Sequence, residues 1–263
     1  LRDILNDLES GKAANDAIRA AQDSMRPTLP KRFYKEAEAV EIDSGFAVQL
    51  DGRTARTPSR NRLVLPSLPL AQTVAAEFAA QRDLIDPMTM PVMRIVNPAL
   101  DCVATLMGEV RADIAAYAGS DLLCYRAAEP ERLVARQEAV WSPILRRAEA
   151  ETGARFVLAQ GVMHQAQPEA TLLRFAAALE RETPDPFTLA ATHVMTTLTG
   201  SAVLALCVTA GWLDARSSWS AAHLDEDWTI EHWGEDAEAM ARRAVRWIEF
   251  EAAGRVVRLM GGA

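Results

Sequence analysis

The stretch EAVEIDSGFAVQLDGRTARTPSRNRLVLPS, Glu38 to Ser67, decides how the first part of the chain folds. Val40 and Ile42, then Phe46, Val48 and Leu50, alternate with polar neighbours, the two-residue period of a half-buried strand. Asp-Ser-Gly and Asp-Gly interrupt the runs, and these residues accept the positive backbone angles of tight hairpin turns. The pattern predicts a β-meander. After it, LPLAQTVAAEFAAQRDLI (68–85) changes period. Leu70, Val74, Phe78 and Ile85 fall near helical spacing and predict a helix covering one face of the sheet.

Outward from this core, DPMTMPVMRIVNP (86–98) is punctuated by prolines and reads as a connector, and PALDCVATLMGEVRADIAAYAGS (98–120) resumes helical periodicity. Residues 1–30 are polar, Ala-rich and weakly helical, ending in RPTLPKR, and read as an N-terminal helical arm. Beyond residue 120, DLLCYRA (121–127) and ARFVLAQG (154–161) are short strand candidates in an otherwise helical pattern. ERLVARQEAVWSPILRRAEAE (131–151), TLLRFAAALERE (171–182), PFTLAATHVMTTLTGSAVLALCVTAG (186–211) and Asp236 to Gly254 read as successive helices. Ala191 to Ala210 is apolar nearly all round, which places it in the middle of a bundle. The expected class is α+β: an arm at 1–30, a small β-rich domain with a covering helix at 31–120, and a mainly α-helical domain at 121–263.

The 263 residues are 49% hydrophobic and 24% charged, an ordinary globular composition with enough apolar surface for a sizeable core. A net charge of -8 argues against nucleic acid, whose binders display basic patches that displace counterions. No apolar run reaches the roughly 18 residues of a membrane span, and the amino terminus lacks the basic and apolar segments of a secretory signal. A bacterial cytoplasm or an organelle matrix is the expected compartment. Cys102, Cys124 and Cys207 sit singly in apolar surroundings and read as reduced core thiols. His164, His193, His223 and His232 are also single, so no structural zinc site is expected.

No phosphate loop, dinucleotide fingerprint or nucleophile elbow occurs, so no cofactor is expected. Ser120 and Ser201 read as helix-end or packing residues. Chemistry concentrates in AHLDEDWTIEHWGED (222–236). On one helix His223, Asp227, Glu231 and Glu235 would form a stripe at spacings of four, a candidate metal-assisted hydrolase site through His223, Asp227 and Glu231. Two readings stand beside it. One is a solvated face opposite buried Leu224, Trp228 and Ile230, and the other is a surface for a protein partner. Trp212, Trp219, Trp228, Trp233 and Trp247 cluster here, and aromatic residues serve as core fillers and as interface anchors. Gly234, followed by an acidic run suited to a helix amino terminus, divides the stretch between two helices and cuts the stripe. Glu238 and Arg242 form an expected pair on the second helix.

Taken in order, KRFYKEAEAVEIDSGFAVQLDGRTARTP, AAEFAAQ, IDPMTMPVMRIVNPALD, SDLLCYRA, TGSAVLAL and LDEDWTIEHWGEDAEA resemble the assembly chaperones for the α subunit of F-type ATP synthase, found in mitochondria and alphaproteobacteria. The resemblance runs from about residue 31 to about residue 255. It implies a non-enzymatic protein, with a β-rich domain before a helical one, that binds unassembled α subunit until the β subunit replaces it. It also implies a protein-binding set of Asp225, Glu226, Asp227, Trp228, Glu231, Trp233 and Glu235, with the family's important carboxylate at Asp225. Phe78 stands where mitochondrial relatives carry Trp, and its spacing on the helix reads as core. The further expectations are a chaperone that is monomeric when free, cytoplasmic in bacteria, and in the matrix for mitochondrial relatives. No nucleic acid or membrane insertion is expected.

Overall fold

The computed structural model describes residues 29–161 and 165–261, so the arm expected at 1–30 lies almost wholly outside the described residues. These form two compact units. The smaller contains the described residues up to Phe33 together with Gln81–Asp86. In it Lys31 bridges Leu84, the Arg32 amide donates to the Asp83 carbonyl at 2.9 Å, and the Ile85 amide donates to the Pro30 carbonyl at 2.9 Å. Ile85 is therefore not on the covering helix, which stops at Ala79. The larger unit contains Tyr34–Ala80 and the described residues from Pro87 onward. It spans residue 120, where strand-rich texture gives way to helix-rich texture.

The meander forms as its pattern predicts. Strands β1 (Ala37–Ile42) and β2 (Gly45–Leu50) pair antiparallel with Ile42 opposite Gly45, leaving Asp43 and Ser44 as the loop. Gly45 has φ 128°, and a Cβ there would stand 2.7 Å from the Leu65 carbonyl oxygen, so the close approach of the Val64–Leu65 strand needs a glycine at this point. The Asp51-Gly52 turn has φ of 49° and 74°, the two positive angles of a hairpin turn, and leads into β3 (Arg53–Thr54). On β2, β3 pairs with Gln49 and Leu50 while β4 (Val64–Leu65) pairs with Phe46 and Ala47. Ala47, Val48, Leu50, Leu63 and Leu65 are buried.

Helix α1 (Leu68–Ala79) covers this sheet with Leu70, Val74 and Phe78 buried, as their spacing predicts. Phe78 is a core residue: Tyr34 meets its ring edge-on at 5.9 Å and donates its hydroxyl to the Phe78 carbonyl at 2.8 Å. The proline-punctuated connector is instead largely helical, as α2 (Pro91–Asp101). Pro91 opens the helix, where its missing N–H costs nothing. Glu77 of α1 supplies the absent cap, accepting from the Val92 and Met93 amides at 2.8 Å each. Burial outweighs these two donors and raises the Glu77 carboxyl above its ordinary value. At the other end, Asp101 accepts from Thr57, Asn61 and the Ser59 amide and so organises the loop before β4. Cys102, expected in the core, is exposed just past α2, whereas Cys124 and Cys207 are buried.

Next come α3 (Met107–Ala118) and the two short strand candidates. The latter pair in parallel as β5 (Tyr125–Arg126) and β6 (Ala159–Gln160) around α4 (Glu131–Thr152). Helix α5 (Glu169–Glu182) precedes the central segment, which is two helices, α6 (Pro186–Thr199) and α7 (Ala202–Thr209). Gly200, at φ 69°, ends α6 in the left-handed conformation, and Ser201 caps α7 by accepting from the Leu204 amide at 3.0 Å. Ser201 is thus a helix-end residue, as expected. Every residue from Ala202 to Val208 is buried. The buried hydroxyls of Thr192, Thr196 and Thr199 donate to carbonyls one turn earlier, and the Thr192 hydroxyl also meets that of Thr209 on α7 at 2.8 Å. Helix α6 packs against α2, α3, α7 and the last helix, α10 (Ala237–Gly261). Between α7 and α10 lie α8 (Ala215–Ala222) and α9 (Leu224–Trp233).

One buried carboxylate joins the chain just past residue 120 to the start of α7. Asp121, fully buried, accepts from the Leu123 amide at 3.0 Å, the Ser201 hydroxyl at 2.7 Å and the Val203 amide at 2.9 Å. Burial raises its carboxyl to about 6 despite these donors and the amino end of α7. The same burial pushes the Cys124 and Cys207 thiols up to about 12, which keeps them protonated and unreactive.

Candidate functional site

The acidic stretch folds as two elements and a corner. Helix α9 carries Asp225, Glu226 and Asp227 in its first turn, where the positive helix end favours negative charge. Gly234, at φ 90° and ψ 171°, ends it in a conformation open essentially to glycine alone. Asp236 then caps α10, accepting from the Glu238 and Ala239 amides at 2.9 and 3.3 Å. The expected Glu238 and Arg242 pair forms along α10 at 2.5 Å.

The carboxylates of α9 point to different partners. Asp225 accepts from Gln137 of α4 at 2.8 Å, and the carbonyl of the buried Gln137 amide accepts from the Ala127 amide at 2.8 Å. Asp227 pairs with Arg243 of α10 at 2.5 Å, and Glu231 pairs with Arg136 of α4 at 2.7 Å. His223 is not on α9 but at the joint with α8, 3% exposed. Its Nδ1–H donates to the Trp219 carbonyl at 2.8 Å, the ring lies 3.9 Å from Trp219, and burial lowers its proton affinity. The stripe of four is therefore not assembled: His223 and Glu235 lie off the helix, and Asp227 and Glu231 are committed to arginines on different helices. Among the described residues no group of three or more His, Cys, Asp or Glu side chains is placed to hold a metal ion.

The remaining groups face solvent. The side chain of Glu226 is 60% exposed, and among the described residues its ionic contact is with His223 Nε2 at 3.9 Å, beyond hydrogen-bond distance. Trp233 is 75% exposed at the end of α9, and Glu235 beside it is exposed. Of the three apolar residues expected in the core, Leu224 is buried but Trp228 and Ile230 are half-buried. His232 stacks on Trp228 at 4.2 Å and covers part of its ring, while Ile230 lines a groove of about 560 Å³ between α9 and α10. Met240 and Ala239 of α10 also line it, as do His223 and Glu226. Of the other clustered tryptophans, Trp219 is buried against Trp247 and Phe250.

Sequence reasoning missed the basic and amide partners. Gln137 was legible: it lies on the same face of α4 as Trp141, Leu145 and Ala148, a polar residue among buried ones. Arg136 and Arg243 carried no such signal, because exposed helices commonly carry arginine. No helix of the described residues is long and apolar enough to cross a membrane.

The family description ATP12 chaperone protein matches residues 31–149. Among solved structures, the Atu1473 protein of Agrobacterium tumefaciens is 48% identical, with a TM-score of 0.85 over 98% of this chain and 97% of that one. Atp12 of Paracoccus denitrificans is 36% identical, with a TM-score of 0.81 over 88% of this chain and 98% of that one. A mutant of the Paracoccus protein in which one aspartate is lysine matches equally well, at 36% identity and a TM-score of 0.81 over 88% of this chain and 97% of that one.

Proposed function

The chain belongs to the ATP12 family of ATP synthase assembly chaperones, and from that premise we propose that its client is the unassembled α subunit of the F-type synthase. In this reading the chaperone acts as a monomer in the cytoplasm and covers the surface of α that later meets the β subunit. The observation that carries the choice of docking site is Trp233, three-quarters exposed at the end of α9, with exposed Glu235 just beyond it and exposed Glu226 in the first turn of the same helix. An orphan subunit exposes an apolar, partly basic interface, and a tryptophan with an acidic rim matches both properties. Rim charge raises the association rate and selects the partner more than it tightens the complex, which suits a client that must be released.

The carboxylates and aromatic groups expected to bind divide into two roles. Trp233, Glu226 and Glu235 face the client. Asp225, Asp227 and Glu231, with Trp228 stacked beneath His232, hold α9 at its angle to α4 and α10. The test is co-expression with the α subunit from the same organism. Wild-type chain retains α in a soluble complex, whereas Trp233→Ala lowers complex recovery at least tenfold, about 1.4 kcal/mol or more, and Glu226→Lys chiefly slows association, both with melting temperature unchanged. An α subunit that is equally soluble and unbound without the chain overturns the reading.

A further inference from the structure

Among the described residues strand β1 is an edge of the sheet and pairs with β2 alone. Its register places Ala39 opposite Val48. The Val48 amide donates to the Leu63 carbonyl at 3.0 Å, and its carbonyl accepts from the Ala55 amide at 2.8 Å. Both Val48 backbone groups thus point away from β1, so Ala39 sits in a non-hydrogen-bonded pair. By the alternation of an antiparallel ladder, Ala37, Ala39 and Glu41 direct their N–H and C=O groups to the outer edge, while Glu38, Val40 and Ile42 bond to β2. Among the described residues no strand or backbone hydrogen bond meets that outer row. An unpaired row of donors and acceptors six residues long is a template for another strand.

The side chains select what can pair. Glu38 and Glu41 are exposed and three positions apart, which on a strand puts them on opposite faces. Glu36 and Asp43 extend the exposed negative row at either end. A second copy of β1 would set carboxylate against carboxylate, which opposes self-pairing. We propose that the outer edge of β1 accepts an extended segment of another protein carrying two Lys or Arg residues three positions apart, one for each carboxylate. This surface is separate from the α9 corner and does not rest on the role assigned there.

The probe is a synthetic octapeptide, acetyl-Ala-Thr-Lys-Val-Thr-Lys-Val-Ala-amide, added to the isotopically labelled full chain while amide exchange is followed residue by residue. At saturation the amides of Ala37, Ala39 and Glu41 slow by roughly tenfold or more, and those of Glu38, Val40 and Ile42, already bonded to β2, change little. A peptide with the lysines two apart loses one charge pair and binds about two- to fivefold more weakly. Ala39→Pro removes an outward donor while leaving the β1–β2 ladder, and it abolishes binding. The double variant Glu38→Lys, Glu41→Lys reverses the preference to a peptide with Glu in place of Lys, which decides the matter if proline perturbs the strand. Absence of protection at saturating peptide, indifference to lysine spacing, or self-association through β1 overturns the proposal.

Discussion

Asp121 shows how a single residue ties regions distant in sequence, and its ionisation makes that tie measurable. Its carboxyl is raised from 3.8 to about 6 by burial, so the folded chain holds a proton more tightly than the unfolded chain between those values. The stability it contributes is therefore fully present below 3.8 and is lost as pH rises through about 6. Asp121→Asn removes the ionisation and retains the shape. The stability of wild type minus variant, from denaturant titrations, should fall by up to roughly 3 kcal/mol between pH 4 and pH 7. A difference that stays flat over that range would remove Asp121 from the account. The sequence signalled little of this, since an aspartate before an apolar run reads first as a helix cap. It does cap, accepting from the Leu123 amide, but its other oxygen bonds to the Val203 amide, 82 positions away.

At the scale of elements, α9 is held by side chains more than by a buried face, for Leu224 is its one buried residue. The bond between Gln137 and Asp225 therefore carries more of its position than the exposed Glu231 and Arg136 pair, which contributes about 0.2–1 kcal/mol. Asp225→Lys should lower stability by about 1–3 kcal/mol, because the buried Gln137 amide loses its acceptor and the new cation faces Arg126. Glu226→Lys, next along the chain, should leave the melting temperature within about 1 °C of wild type, as for surface substitutions generally. Equal destabilisation by both variants would mean that α9 is uniformly structural. The elements also show what periodicity reads badly. The connector at 86–98 hides a helix because Pro91 and Pro98 count as breakers in sequence, whereas Glu77 from α1 supplies the cap that Met90 lacks. The split at Gly200 is legible, since a glycine followed by serine matches a helix end and a new cap.

Across the larger unit, α10 links parts that are far apart in sequence. Ser67, the cap of α1, donates its hydroxyl to the Leu259 carbonyl at 2.7 Å, and Arg94 of α2 pairs with Glu249 at 2.5 Å. Phe250 is fully buried against Trp219 and Trp247. Phe250→Ala should destabilise by about 3–5 kcal/mol through lost burial and a residual cavity. If the unit is cooperative, the loss appears equally in amide exchange at Val48 of the sheet and at Ala191 of α6. A loss confined to Ala191 would mean that the β-rich and helical segments unfold separately.

By itself the sequence determined the α+β class, the meander with its turn glycines, the helical and buried character of the central apolar segment, read as one helix where the structure has two, and the break at Gly234, because each depends on local backbone preference or on the period of apolar residues. Tertiary structure alone decided the partners of the carboxylates in the acidic stretch: Gln137 for Asp225, Arg243 for Asp227 and Arg136 for Glu231. A carboxylate's role depends on which charged or polar group the fold brings within about 3 Å, and residues 16 to 95 positions away leave no periodic trace of that meeting.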